Sequence, residues 1–136
     1  MRARLPLLAV TVLTIGAAPA LPDDKLTVGS GCFYDIVLAA DQTGRICHTS
    51  EDAEFRAAVA DSLARLDQAF VAKGVPAADL ARIKAQGTSM AAAAPSCNGD
   101  ADKLYQMMRT AGAAKLRADT DQIIARPGKP TYGDCF

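Results

Sequence analysis

Tryptophan is absent from the 136 residues, and tyrosine and phenylalanine together supply only 5% of them. Aromatic platforms for stacking sugars or bases are therefore not expected. An excess of one charge sign is missing too, since 15 Lys and Arg balance 15 Asp and Glu. Nothing electrostatic calls for nucleic acid or an anionic membrane as partner. No G-x-S-x-G turn is present, and GTSM at residues 87–90 does not fit that nucleophile pattern. The four cysteines include no CxxC pair, which excludes a thioredoxin-like thiol couple and argues against a zinc ribbon. No stretch reaches the roughly 18 continuous apolar residues of a membrane span.

What is present begins with MRARLPLLAVTVLTIGAAPA. Two arginines, an apolar segment over residues 5–15 and the small-residue run Ala18-Pro19-Ala20 read as a secretory signal peptide over residues 1–20. Val28-Gly29-Ser30-Gly31 before Cys32 lacks the apolar residue of a lipoprotein signal, so a lipid anchor is not expected. Cleavage before Leu21 removes Arg2 and Arg4 but no acid, leaving 13 basic against 15 acidic residues and a net charge of −2. The remaining 116 residues, 21–136, suit one domain. Abundant alanine favours helix and accords with a GC-rich bacterial genome.

Three long helical patterns follow. Phe55, Val59, Leu63, Leu66 and Phe70 recur every three or four residues, with Thr49 or Ser50 as candidate caps and Gly74 as a helix stop. Pro76 opens a second pattern bearing Leu80 and Ile83, with a kink expected at residues 87–89. A third, from a cap at Asn98 or Asp100 to Pro127 and Gly128, carries Tyr105, Met108, Gly112, Leu116 and Ile123 on one stripe. Ahead of them, Phe33, Ile36, Val37 and Ala40 fit a short helix over residues 31–41, although Ile36-Val37 and DQTG also suit a strand and turn. The expected fold is all-α: a small disulfide-stapled bundle of three long helices plus a short N-terminal helix, with irregular arms at 21–30 and 127–136.

Cys32, Cys47, Cys97 and Cys135 in an exported chain read as two disulfides. A third helix of about 26 residues spans roughly 39 Å. The tail over residues 125–135, at most about 33 Å when extended, hardly reaches back along it from Cys135 to Cys97. An up-down-up bundle places Cys47 and Cys97 at one end, so Cys47–Cys97 and Cys32–Cys135 are the expected bridges. The competitor joins neighbours, Cys32–Cys47 and Cys97–Cys135, and gains weight if the third helix breaks near Gly112.

His48, the single histidine, reads as a surface loop residue. Glu51, Asp52 and Glu54, like Asp100 and Asp102, fall in helix first turns, where the dipole explains them. Asp100 and Asp102 lack the Gly and Glu of a calcium loop, and Asp119/Asp121 form a third close pair. Met90, Met107 and Met108 suit core packing better than a soft-metal site. No catalytic, cofactor-binding or metal residue is thus expected. The functional expectation is an exported, non-enzymatic module, periplasmic or secreted, that binds a protein partner in an inhibitor, immunity or assembly role. The alternative is a carrier of a small apolar ligand, in a cavity where Gly112, Ala113 and Ala114 face residues 91–94.

Overall fold

The computed structural model describes residues 26–93 and 97–131, the side chains of 88–93 excepted. The expected signal peptide and Cys135 lie outside the described residues. Five helices occur and, among the described residues, no strand: α1 (Ser30–Cys47), α2 (Ala53–Ala72), α3 (Ala77–Ala93), α4 (Asp100–Ala111) and α5 (Ala113–Ala125). None is long and apolar enough to cross a membrane.

The N-terminal helix is not short. α1 runs for 18 residues, straight through DQTG. A Cβ on Gly44 would lie 3.1 Å from Tyr105 Cε2 and 3.3 Å from Arg56 Cγ. Glycine here therefore serves close packing of α1 against α2 and α4, and the turn chemistry of DQTG is overridden. α2 follows its apolar period, and Phe55, Val59, Leu63, Leu66 and Phe70 are all buried. Its start differs from expectation. The N-cap is Asp52, left-handed at φ 53°, and makes no side-chain bond to its own helix. At the far end Gly74 adopts φ +90°, as a C′ glycine does.

The expected helix is present across residues 87–89, since α3 runs on to Ala93 and passes through Gly87 as α-helix. A Cβ there would meet Gln42 Nε2 at 2.8 Å and Leu38 Cδ2 at 3.4 Å, so this glycine marks the close approach of α3 to α1. The third long helix is instead two. Gly112, at φ 94° and ψ 162°, separates α4 from α5, and the break lets α4 pack on α1 while α5 packs on α2. Gly99 precedes α4 as its N-cap, so neither Asn98 nor Asp100 has that role.

Despite the break at Gly112, the first bridge is Cys47–Cys97, with Cα atoms 5.5 Å apart. Cys47 ends α1 and Cys97 lies just before α4, so the α1–α4 packing brings them together and the pairing of neighbours is excluded. Cys32 is buried and disulfide-bonded; the Cys135 expected as its partner lies outside the described residues.

The core joins Tyr34, Val37 and Ala40 of α1 to the α2 stripe, Val75, Leu80, Tyr105, Leu116 and Ile123. Each large apolar side chain buried this way contributes roughly 1.5–3 kcal/mol. Tyr34 is fully buried, yet its hydroxyl donates to Asp67 Oδ1 at 2.7 Å, and its ring packs on Phe70 with centroids 5.4 Å apart. The irregular segment before α1 is held to the far end of the chain. Leu26 N–H donates to Gln122 Oε1 at 3.2 Å, and the Arg126 guanidinium donates to the carbonyls of Leu26 and Val28.

Candidate functional site

Among the described residues, a polar cluster lies beside the Cys47–Cys97 bridge and an apolar groove on the opposite face of α4.

The cluster begins with His48, which is not a surface residue; it is only 9% exposed. Its ring stacks on Tyr105 with centroids 4.4 Å apart and planes 5° from parallel, and Phe55 meets Tyr105 edge-on at 5.4 Å. His48 Nε2 lies 2.7 Å from Asp102 Oδ1. In the neutral ring, donation from Nε2 to that carboxylate leaves the lone pair on Nδ1. Nδ1 is buried and has no hydrogen-bond partner. Glu51 Oε2 is 3.6 Å away, too far for a hydrogen bond.

Asp52 completes the cluster. Its Oδ1 forms an ion pair with Arg109 Nε at 2.7 Å, while Oδ2 is buried without a hydrogen-bond partner. The left-handed backbone at Asp52 departs from what a non-glycine residue ordinarily adopts, and it presents the carboxylate to α4 instead of to the start of α2. The Tyr105 hydroxyl is likewise buried and unpartnered. Burial pushes its ionisation above the ordinary 10.0, the Asp52 carboxylate adds to this, and Arg56 and Arg109 oppose it. One ligand atom each from His48, Glu51 and Asp52 lies within 4.8 Å of the others.

The groove lies between the segment before α1 and helices α1, α4 and α5. Leu26, Val28, Phe33, Ile36, Leu104 and Met107 form most of its wall, and its volume is about 280 Å³. Lys115 and Asp119 pair at its edge at 2.6 Å. Met107 is 64% exposed, so core packing accounts for Met108, half-buried against the core, and not for Met107. Met90 and the Ala91–93 side chains fall outside the described residues, as does Ala94, so the cavity expected there has only its Gly112–Ala114 side described.

The acid pairs part company in the fold. Asp102 turns inward to His48 while Asp100 is exposed and pairs with Lys103 at 3.0 Å. Asp119 pairs with Lys115, whereas Asp121 pairs with Arg65. The polar cluster escaped sequence reasoning because its walls arrive from α4, 54 residues after His48. Its local trace was the run His48-Thr49-Ser50-Glu51-Asp52 directly after a cysteine. No protein-family model, curated protein or solved structure matches the chain.

Proposed function

We propose that the protein is an exported, non-enzymatic helical module that docks an apolar segment of a protein partner in the cell envelope, in an inhibitor, immunity or assembly role. The observation that carries this reading is the apolar groove with Met107 exposed on its wall. An exposed methionine among leucine, valine and phenylalanine offers an adaptable apolar surface of the kind that accepts a partner's side chains. Export is supported by the pattern of residues 1–20 and by the disulfide, which persists in oxidising compartments.

The test is a photo-crosslinking residue at position 107 in the producing cell, with position 64 on the exposed face of α2 as control. A discrete protein adduct at 107, absent at 64 and lost with Leu104→Asp, is expected. Equal labelling at both positions, or none, overturns the reading.

A second reading, carriage of a small apolar molecule, draws on the same lining. The volume of about 280 Å³ sits just below the ordinary range for ligand sites of about 300–1,000 Å³. Native mass spectrometry of the protein after exposure to an envelope lipid extract separates the two. A retained apolar ligand supports carriage, and an empty chain supports the protein partner.

A further inference from the structure

The cluster at the disulfide end is built as a metal site. We propose that His48 Nδ1, Glu51 and Asp52 together bind one divalent transition-metal ion of the zinc class. Three observations converge on this assignment. First, Asp102 holds Nε2 at 2.7 Å. A carboxylate accepting from one ring nitrogen is the usual support for a metal-binding histidine, since it fixes the tautomer and makes the other nitrogen more basic. Second, that other nitrogen, Nδ1, is buried without a hydrogen-bond partner on a residue only 9% exposed. An orphaned acceptor of this kind carries a desolvation cost, which a ligand offsets. Third, the Asp52 carboxylate is divided: Oδ1 is held by Arg109 at 2.7 Å, and Oδ2 is buried and unpartnered.

The dimensions fit after a small adjustment. Zinc bonds of 2.0–2.2 Å to nitrogen and oxygen place tetrahedral ligand atoms roughly 3.3 Å apart. His48 Nδ1 and Glu51 Oε2 stand at 3.6 Å, and one ligand atom from each of the three residues lies within 4.8 Å of the others. Glu51, whose side chain is 66% exposed, has room to swing toward the ion. His48 and Asp52 cannot move as freely: Tyr105 stacks on the ring, Arg109 grips the carboxylate, and the bridge at Cys47 anchors the preceding residue. Two carboxylates balance the charge of a divalent ion, and the fourth position is left to water. One histidine with two oxygen ligands suits zinc better than the thiolate-seeking metals. The site uses Asp102, Tyr105 and Arg109, on the face of α4 opposite Leu104 and Met107, so it is independent of the groove.

The test uses the secreted protein without a histidine tag, stripped with EDTA and titrated with Zn²⁺ alone at neutral pH by calorimetry. Binding of one equivalent is expected. His48→Gln and the double variant Glu51→Gln/Asp52→Asn weaken it at least about tenfold, and Asp102→Asn, which removes only the support, weakens it about 10–100-fold. His48 is the only histidine, so its side-chain ¹⁵N signals give a second readout that needs no variant. One equivalent of Zn²⁺ shifts Nδ1 while Nε2 keeps its proton. Absence of binding, binding unchanged in His48→Gln, or His48 signals unmoved by saturating Zn²⁺ each overturns the proposal.

Discussion

Replacing Gly44 and Gly87 separately by alanine gives unequal stability changes: Gly44→Ala destabilises and Gly87→Ala is close to neutral. Both lie inside helices, where alanine is favoured over glycine by up to about 1 kcal/mol. What differs is the obstacle that the new methyl group meets. At Gly87 the closest atom, at 2.8 Å, is Gln42 Nε2, the end of a flexible side chain that can move aside. Moving it costs on the order of 0.5–1.5 kcal/mol, so Gly87→Ala stays within about 0.5 kcal/mol of neutral. At Gly44 the closest atom is Tyr105 Cε2, at 3.1 Å. That ring is 0% exposed and held between the stacked His48 and the edge-on Phe55. Overpacking against such a group costs roughly 1–3 kcal/mol, which exceeds the helical gain. Gly44→Ala therefore destabilises by about 1–2 kcal/mol net. Urea unfolding at pH 7, with m-values compared to confirm an unchanged unfolding reaction, measures both. A Gly44→Ala protein as stable as Gly87→Ala, or more so, refutes the claim that Tyr105 is clamped.

Three further outcomes follow from the packing. Ser62 Oγ is buried without a partner, so Ser62→Ala raises the urea midpoint by the equivalent of about 1 kcal/mol, and a fall in midpoint contradicts the absence of a partner. Burial pushes the Asp35 carboxyl above its ordinary 3.8. Its neutral form is the one the fold favours, so the benefit is full below the unfolded value and is lost as pH rises through the folded one. Asp35→Asn therefore stabilises at pH 7 and loses that advantage near pH 3, as thermal melts at the two pH values will show. Replacing Cys47 and Cys97 together by alanine opens a loop with a sequence separation of 50 and costs about 4 kcal/mol on loop entropy, less any strain released. A shift under about 1 kcal/mol means that the α1–α4 contact is as restricted in the unfolded chain without the bridge.

The helical class and the buried stripe of α2 were legible because a 3.6-residue apolar period is local information. The Cys47–Cys97 bridge was expected from placing both cysteines at one end of the bundle, and it formed although the other premise, an unbroken third helix, fails at Gly112. The extent of α1 was not, because DQTG carries turn chemistry whereas the reason it stays helical is Tyr105, brought against Gly44 by tertiary packing. Gly112 was placed on the stripe of one long helix, but its backbone at φ 94° divides that helix in two. The caps failed together. Asp52 serves Arg109 and Asp102 serves His48, so two of the carboxylates assigned to helix first turns are spent on contacts with other elements, while Glu54 and Asp100 stay in helix first turns where the dipole favours them. His48 looked exposed because nothing near it in sequence covers it; Tyr105, which does, belongs to α4.

Peptide mapping without reduction, on protein recovered from its native compartment, tests the proposed exported and doubly stapled module most directly. Trypsin separates all four cysteines. The account predicts residues 46–56 joined to 85–103, residues 26–45 joined to 118–136, and a chain that begins at Leu21. Free thiols at Cys32 or Cys135, or a chain retaining residues 1–20, would contradict it.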